Sequence, residues 1–418
     1  KRRNGCFLSM DKKIEKVDVV IIGGGAAGLT SAIYCGRAKL NTVVIEKALV
    51  GGLATYTNEI ENYPGFPEGA TGLGLMELFH KQAKKFGVKF KLTDVRGVKL
   101  EGDTKVVETF RTNYECKAVI IASGGKPRLT GAPGEAEFLY DKGISFCATC
   151  DAAANTGKTV MVIGSGDAAI EEGMFLTKFA SRVIVSVMHD EGKMDCNEIA
   201  KGEALNNPKM EFVWNTLPHE FRGDAEHLRS VALKNVKTNE ILDIPVDTCF
   251  MFIGYLPNTE IFKDVVNMNR AGYVITNEKM ETNIPGVYCA GDVRDKFLKQ
   301  VATAVGDGAI AGYAVEKYIA ESEVFENQIM DASITGIAYI WNAVDPASRA
   351  LLPIVESFEE KYAGKVKVTK VDIYKSEGIA NRLNVKTAPC IVAIKDGKLA
   401  GVLSENITEE SIKVLAGV

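Results

Sequence analysis

The sequence predicts an α/β protein with two nucleotide-binding units of the Rossmann type and a further α/β unit at its carboxyl end. A glycine-rich turn between a run of β-branched residues and a helix occurs twice, at residues 23–28 and 164–169. Strand and helix patterns resume after a polar, acidic stretch at residues 320–330, which we expect to connect two domains. A chain of 418 residues is also too long for one ordinary core, so several domains are expected.

The composition excludes some classes of partner. The 50 basic residues nearly balance 54 acidic ones, for a net charge of -4. We therefore expect small molecules or proteins as partners, not nucleic acid or a membrane. Nine scattered cysteines do not resemble a disulfide framework and favour a reducing cytoplasm. Residues 1–15 are expected to be a flexible lead, because their apolar run is too short for a signal peptide.

The first glycine-rich turn has the G-x-G-x-x-G spacing of a dinucleotide site. Gly23 permits the tight turn, Gly25 lets the backbone approach a pyrophosphate, and Gly28 allows the helix to pack closely. The next strand ends at Glu46, where a carboxylate can accept hydrogen bonds from a ribose. Together with its strand and helix, this motif predicts dinucleotide binding.

The pattern recurs at Gly164 and Gly166, with Ala169 as an accepted variant of the third glycine. Two dinucleotide sites imply two electron carriers. A third signal is a short strand that ends at Asp292 before a helix of small residues. An aspartate there can hold a cofactor hydroxyl, and the helix amino terminus favours an anionic or electron-rich group.

Cys147 and Cys150 form the only Cys-x-x-Cys of the chain. Zinc would need two more ligands, and no second pair or Cys/His cluster accompanies them among four histidines, so no metal site is expected. A structural disulfide across so short a loop would constrain the unfolded chain little. A working dithiol is the favoured interpretation, in which one thiol must be stabilised as a thiolate.

Seven motifs in order resemble the low-molecular-weight thioredoxin reductases. They are GGGAAG at 23–28, GG at 51–52, ENYPGF at 61–66, CATCD at 147–151, GSGDAAIEE at 164–172, IGYLPN at 253–258 and CAGD at 289–292. The resemblance implies an FAD domain in two parts, 16–125 and 253–322. An NAD(P)-binding domain that carries the Cys pair, 126–252, would be inserted between them. A homodimer is also implied.

The resemblance further implies which residues bind the cofactors. FAD contacts are expected at Gly23, Gly25, Ala26, Ala27, Gly28, Glu46, Lys47, Gly52, Leu53, Asn62, Ala122, Gly291, Asp292, Gln300, Val301 and Ala302. Nicotinamide-nucleotide contacts are expected at Gly164, Gly166, Asp167, Ala168, Ala169 and Asp190. Leu53 is a departure, because the family usually has Gln there, which puts one polar contact to the flavin in doubt.

The same resemblance assigns the thiol roles. Cys150 would receive electrons from the flavin, and Cys147 would form the mixed disulfide with a protein substrate. Asp151 would protonate the departing thiolate, although it is also suited to cap the turn that follows. In the family the nucleotide domain rotates, and the crossings at 124–126 and 250–254 contain glycines suited to a hinge.

The electron donor is expected to be NADH more than NADPH. NADPH-using members carry a His-Arg-Arg segment whose guanidinium groups clamp a 2′-phosphate. Here the arginine positions fall on Met188 and His189, followed by Asp190 and Glu191. These carboxylates would repel a 2′-phosphate but could accept a hydrogen bond from a 2′-hydroxyl. Lys193 alone is a poor substitute for the arginines that bind the phosphate. The alternative is a ferredoxin-like donor that reduces the flavin directly, with a non-functional nucleotide site.

Residues 323–418 resemble thioredoxin itself. The matching positions are Trp341, Pro353, Asp372 and the Ala388-Pro389 pair, whose bond is expected to be cis. Asp345 and Ser348 occupy the two cysteine positions, so this domain cannot form the disulfide of a built-in substrate. Cys390 is expected to be a buried strand residue more than a site of mixed-disulfide formation.

We therefore expect this last domain to serve in docking, dimer contacts or partner selection. A separate thioredoxin-like or glutaredoxin-like protein would be the substrate. The competing hypothesis is a redox-idle flavoprotein scaffold that acts through its carboxyl-terminal domain. The intact CATCD weighs against it, because a scaffold has no need of both thiols and the acid at that spacing.

Overall fold

The computed structural model describes residues 12–57, 60, 62–139, 141–331 and 333–418. They fall into two compact units that divide after Tyr313. The predicted lead, residues 1–15, lies mostly outside the described residues, but its end does not match the prediction. Lys13–Lys16 form a strand that pairs in parallel with Thr112–Cys116, so the backbone there is held by a sheet.

The first unit contains a parallel sheet at its amino end. Its strands, in spatial order, are β19 (Val287–Cys289), β8 (Ala118–Ile121), β2 (Val19–Ile22), β3 (Thr42–Glu46) and β4 (Lys89–Leu92). The runs VVII and AVII are buried at every position, as expected for central parallel strands covered on both faces. The helices of this part are α1 (Ala26–Arg37), α2 (Gly72–Lys85) and the beginning of α6 (Val301–Val324).

A smaller sheet packs beside it, with strands β1 (Lys13–Lys16), β7 (Thr112–Cys116), β6 (Lys105–Thr109) and β5 (Val95–Lys99). The chain leaves the parallel sheet after β8 and completes it with β19, more than 150 residues later. The intervening segment is therefore an insertion.

The insertion has its own parallel sheet. In spatial order its strands are β10 (Ile144–Ser145), β17 (Thr248–Met251), β11 (Thr159–Ile163), β12 (Arg182–Val187) and β13 (Met210–Trp214). Its helices are α3 (Ala148–Asp151), α4 (Asp167–Leu176) and α5 (Glu198–Leu205). An antiparallel sheet covers it, with strands β14 (Thr216–Gly223), β15 (Leu228–Asn235) and β16 (Ile241–Pro245).

Two chain crossings connect the insertion to the rest of the first unit. They form a short antiparallel ribbon of β9 (Gly125–Pro127) and β18 (Tyr255–Pro257). Ser123 and Asn258 tie the crossings together, because Ser123 Oγ donates to the Asn258 carbonyl at 2.7 Å and Asn258 Nδ2 donates to the Ser123 carbonyl at 2.9 Å. The insertion is thus attached through one narrow element.

The second unit has a four-stranded mixed sheet of β21 (Val366–Asp372), β20 (Thr335–Trp341), β22 (Cys390–Lys395) and β23 (Lys398–Leu403), in that order. Its helices are α7 (Pro346–Lys361), α8 (Glu377–Arg382) and α9 (Glu409–Ala416). The predicted cis bond between Ala388 and Pro389 is confirmed.

The polar connection that the sequence suggested at 320–330 is wrong, because α6 continues to Val324 and a π-helix follows at Phe325–Ile329. In the described part of the chain, no helix is long and apolar enough to cross a membrane.

Candidate active site

The first glycine-rich turn has the geometry that its spacing predicts. Gly23 has φ +105°, and a Cβ there would lie 2.2 Å from the Ala122 carbonyl oxygen. A Cβ on Gly28 would lie 1.9 Å from the Gly23 carbonyl oxygen, so only glycine permits this approach of α1 to β2. At Gly25 the nearest described atom would be the Gly51 oxygen, at 3.9 Å. The backbone is therefore accessible at Gly25 and closely packed at Gly23 and Gly28.

Glu46 lies at the end of β3, beside this turn. Its Oε2 accepts a hydrogen bond from the Gly24 amide at 2.7 Å, and its Oε1 accepts one from the Ala48 amide at 2.9 Å. These bonds fix the carboxylate at the wall of a large cavity while leaving acceptor capacity on both oxygens.

The cavity, of about 1030 Å³, is lined by most of the residues predicted to bind FAD. They are Gly23, Gly25, Ala26, Ala27, Glu46, Lys47, Gly52, Leu53, Ala122, Gly291, Asp292, Gln300 and Val301. Gly28, Asn62 and Ala302 are not part of the wall. Asn62 lies next to it, because its Nδ2 donates to Gln300 Oε1 at 3.1 Å.

Two features of this wall fit FAD. Asp292 Oδ1 is buried and, within the described residues, has no hydrogen-bond partner, so a ligand hydroxyl could satisfy it. The helix α6 begins at Val301, also in the wall, so its amino terminus favours an electron-rich group there. The residues of the first turn, Asp292 and Gln300 would hold the cofactor.

Cys147 and Cys150 are joined in a disulfide, with their Cα atoms 5.3 Å apart, and both residues line the same cavity. The local fold explains their position. Cys147 precedes the single turn of α3, and Ala148 and Ala152 pack into the core of the inserted domain. This packing fixes the Cys pair on the side of the domain that faces the cavity. Thr149 also lies in the wall, and its Oγ1 is 3.4 Å from Cys147 Sγ.

Asp151 is a partly buried carboxyl beside the disulfide. Ser145 Oγ donates a hydrogen bond to its Oδ2 at 2.5 Å. Burial raises the pKa of the Asp151 carboxyl, and the hydrogen bond from Ser145 opposes that rise. The alternative role of Asp151 as a cap is wrong, because Ala152 is the residue that precedes the following helical turn. Sequence reasoning missed Ser145, because only the folded structure shows that β10 places its hydroxyl against α3.

The second glycine-rich turn lies elsewhere on the insertion. Within the part of the chain that the structure describes, Gly164, Gly166, Asp167, Ala168 and Ala169 are all absent from the cavity wall. A Cβ on Gly166 would meet no described atom within 4 Å, so the turn has an open side. The structure therefore brings the disulfide, and not this turn, to the predicted FAD residues.

Polar side chains from the segment after β12 are fastened to this turn. Asp167 Oδ1 accepts hydrogen bonds from the amide and the side chain of Asn197, at 2.7 and 2.9 Å. Asp195 Oδ2 accepts one from Ser165 Oγ at 3.0 Å and lies 2.9 Å from His189 Nε2. His189, at one of the two arginine positions, is thus engaged by a carboxylate.

Asp190 is partly exposed and lies between two lysines, Lys237 and Lys193. Its carboxylate contacts both ammonium groups, the second at 3.6 Å. The hydrogen bond from Lys237 is the main reason that the pKa of Asp190 is lowered. Lys237 was missed in the sequence because it is 47 residues away. Two cations, not Lys193 alone, therefore accompany this carboxylate.

In the second unit, the two positions that replace cysteines build a helix cap. Asp345 Oδ2 accepts hydrogen bonds from the amide and the hydroxyl of Ser348, both at 2.8 Å, at the start of α7. Cys390 is buried, and burial raises the pKa of its thiol to about 11, as expected for a core residue. Among the described residues, no group of three or more His, Cys, Asp or Glu side chains could hold a metal ion.

Comparisons with known proteins agree with this division of the chain. Residues 17–308 match the family model described as pyridine nucleotide-disulphide oxidoreductase, and residues 316–416 match that of thioredoxin. The chain is 42% identical to a thioredoxin reductase of Peptoclostridium acidaminophilum over 308 residues, which cover 72% of this chain and 96% of that protein.

Two solved structures are similar to the same part of the chain. The thioredoxin reductase of Streptococcus pyogenes has 38% identity and a TM-score of 0.69, with coverage of 73% of this chain and 98% of that one. That of Lactococcus lactis, in what is described as the FR conformation, also has 38% identity, but its TM-score is 0.53, with coverage of 73% and 99%.

Proposed function

The chain belongs to the pyridine nucleotide-disulphide oxidoreductase family and is an FAD-dependent disulfide oxidoreductase of the thioredoxin reductase type, and we propose that its electrons pass through the Cys147 and Cys150 pair to a separate thioredoxin-like protein. One observation carries the proposal. The disulfide and Asp151 line the cavity whose walls are formed by Gly25, Glu46 and the other predicted FAD residues.

The chemistry assigned to these side chains is a dithiol exchange. FAD, once bound and reduced by the electron donor, would supply the two electrons that convert the bond between Cys147 and Cys150 into two thiolates. The Cys147 thiolate attacks the disulfide of the partner, and the sulfur that departs takes a proton from Asp151. The Cys150 thiolate then attacks the mixed disulfide, which restores the bond to Cys147 and releases the partner as a dithiol after a second proton from solvent.

This sequence requires the inserted domain to move. With the disulfide in the cavity, Cys147 faces the FAD residues, and the second glycine-rich turn lies away from them. A rotation about the ribbon of β9 and β18 would expose the dithiol to a partner and turn the nucleotide toward the flavin. The different TM-scores of two relatives with equal identity support a variable arrangement of the domains.

We propose NADH as the donor in preference to NADPH. Met188 and His189 replace the two arginines of NADPH-using relatives, and His189 is held by Asp195. A further carboxylate, Asp190, stands near the place expected for the ribose. Its pairing with Lys193 and Lys237 weakens the repulsion of a 2′-phosphate. The preference therefore depends more on the missing guanidinium groups than on the acids.

A ferredoxin-like donor is the second candidate. It is favoured by the position of the nucleotide turn outside the cavity, since direct reduction of the flavin would need no nucleotide there. The open side of Gly166 supports NADH instead, because it leaves room for a pyrophosphate. A redox-idle scaffold is disfavoured by the disulfide in the cavity wall.

We also propose a separate substrate protein, a cytoplasmic setting and a homodimer. A separate substrate protein is favoured because Asp345 and Ser348 form a cap and cannot exchange disulfides. A cytoplasmic setting is supported by the six further cysteines of the described residues, which are all buried thiols. A homodimer is supported by the family resemblance and by exposed apolar residues on the first unit, such as Tyr34 and Ile310.

Anaerobic stopped-flow absorbance tests the electron route. Purified enzyme is mixed with NADH or NADPH, and a bacterial thioredoxin serves as the acceptor in steady-state assays. The Cys150→Ser variant should bind FAD and show bleaching of the flavin by NADH, but it should not reduce thioredoxin. The Cys390→Ala variant should turn over normally, because the thiol of Cys390 is buried in the second unit. Normal turnover by Cys150→Ser would refute the dithiol route. Bleaching by neither nucleotide would refute the donor assignment.

A further inference from the structure

Lys296 is a buried cation next to the cavity that sequence reasoning did not identify. Only 7% of its side chain is exposed. Its Nζ lies 3.4 Å from Asp292 Oδ1 and donates hydrogen bonds to Asp307 Oδ2 at 3.1 Å and to Thr303 Oγ1 at 3.2 Å. One ammonium group thus contacts the strand end that carries Asp292 and the first two turns of α6.

The surrounding charges are balanced. Asp307, with 12% of its side chain exposed, also accepts a hydrogen bond from the Gly291 amide at 3.1 Å and lies 3.5 Å from Arg294 Nε. Two carboxylates therefore face two cations in a site with little water. Removing one member of such a group leaves an opposite charge buried without a partner, which is costly.

Lys296 Nζ lies 3.4 Å from Asp292 Oδ1, which is long for a hydrogen bond, and it acts on the carboxylate mainly by charge attraction. Asp292 Oδ1 therefore lies in the cavity wall with acceptor capacity left for a ligand. A cation that neutralises a carboxylate but does not occupy its lone pairs leaves that oxygen charged and ready to accept a hydroxyl. This is the property that a cofactor-binding aspartate needs.

We propose that Lys296 is a positioning residue for FAD. It holds Asp292 ionised and directed into the cavity, so that the carboxylate can accept a hydrogen bond from a cofactor hydroxyl. Lys296 itself lies behind the wall and acts through Asp292. The inference depends on FAD binding, which the family implies, and on neither the donor nor the thiol route proposed above.

Ionisation gives the proposal a pH signature. Burial raises the pKa of the Asp292 carboxyl, and attraction to Lys296 lowers it. The other charged or titratable groups that act on Asp292 are Lys299, Asp307 and Tyr273. Without Lys296 the pKa of Asp292 rises further. The charged form of Asp292 is the one that accepts a hydrogen bond from the cofactor hydroxyl. As the pH falls, a variant without Lys296 should therefore begin to lose FAD affinity at a higher pH than the wild type.

The test is titration of apo-protein with FAD, followed by flavin fluorescence at pH 6, 7 and 8. We expect Lys296→Met to raise the Kd for FAD at least tenfold at pH 7, and more at pH 6. The wild type should change less than threefold over this range. Lys263→Met, at an exposed lysine of the same unit, should match the wild type.

A double-mutant cycle separates positioning from general stability. Asp292→Asn should weaken FAD binding by itself, and adding Lys296→Met to it should cost less than a further twofold. If Lys296→Met fails to fold as apo-protein, Lys296→Gln, which keeps a hydrogen-bond donor and loses the charge, decides the question by the same measurements. A wild-type Kd in the folded variant, a pH dependence parallel to that of the wild type, or losses that multiply in the double variant would overturn the proposal.

Discussion

At the scale of single residues, the environment of Asp151 decides when it can act as an acid. The carboxyl is partly buried beside the disulfide, and Ser145 is its hydrogen-bond donor at 2.5 Å. A carboxyl with a raised pKa holds its proton at a pH where an exposed aspartate has lost it. Burial thus fits the proposed role of Asp151 as the acid that protonates a departing thiolate, and the hydrogen bond from Ser145 limits how far its pKa rises.

Ser145→Ala should therefore move the pH profile of turnover. Activity that needs protonated Asp151 falls as pH rises through the pKa of that group. Removing a hydrogen bond that lowers the pKa raises it, so the descending limb of kcat/KM for thioredoxin should shift to higher pH. Asp151→Asn should remove this limb and lower turnover by on the order of 100-fold, the usual scale of general acid catalysis. An unchanged limb in Ser145→Ala, or a shift to lower pH, would contradict the assignment.

At the scale of elements, the proposed rotation of the inserted domain must take place at the ribbon of β9 and β18, because this ribbon connects the domain to the rest of the first unit. Gly124, just before β9, has φ +62°, and a Cβ there would meet no described atom within 4 Å. Its conformation therefore reflects backbone geometry alone, without packing. A residue in this state at the entrance to a narrow connection is well placed to absorb a change in torsion.

Gly124→Ala should slow turnover without disturbing the electron exchange between dithiol and flavin. The added Cβ disfavours the left-handed region by about 1 kcal/mol and narrows the torsions available to a hinge. Steady-state reduction of thioredoxin should fall several-fold. Anaerobic reduction of the flavin by dithiothreitol should be unchanged, since the disulfide already lines the cavity. Gly131→Ala is the matched control, because Gly131 has φ +76° and similar open space among the described residues but lies outside the crossings. Equal slowing in both variants would count against a hinge at Gly124.

Some of the elements can be predicted from the sequence and others cannot. Alternating or continuous apolar runs predict strands locally, and the structure has a strand at each of three such runs, Val366–Asp372, Thr159–Ile163 and Arg182–Val187. The glutamates of the segment 320–330 suggest a linker, but most of the segment is helical. Its apolar residues, among them Val324 and Ile329, pack into the core of the second unit, and this tertiary contact outweighs the polar composition.

The residues of the candidate site also fall into those that the sequence predicts and those that only the fold reveals. The glycine turns, Glu46 and the Cys pair follow from spacing within short segments, and the structure places them where strands end and helices begin. Ser145, Lys296 and Lys237 were not found. Each matters through a partner that only folding brings near, such as Lys237 beside Asp190 across 47 residues. No local pattern marks such a lysine in the sequence.

At the scale of the whole molecule, the charge of the chain does not select the donor. A net charge of -4 spread over 418 residues produces no strong field that would separate NADH from NADPH. Discrimination must come from groups within a few ångströms of the 2′ position, because exposed charges are screened over about 10 Å at moderate salt. In the proposed donor site, Asp190, Lys193 and Lys237 form one cluster of charges.

Asp190→Asn should shift the donor preference toward NADPH. The substitution removes the carboxylate that now engages Lys193 and Lys237, and both ammonium groups become available to a 2′-phosphate. We expect the ratio of kcat/KM for NADPH to that for NADH to rise about tenfold at low salt and to rise less at high salt, because salt screens the exposed ammonium groups. Asp224→Asn is the matched control, since it frees an arginine of the same domain, Arg229, now 2.8 Å from Asp224. A tenfold rise confined to Asp190→Asn would show that this cluster contributes to donor choice beside the missing guanidinium groups. An equal rise in both variants would assign the effect to net charge instead, and no rise in either would place the ribose of the donor away from Asp190.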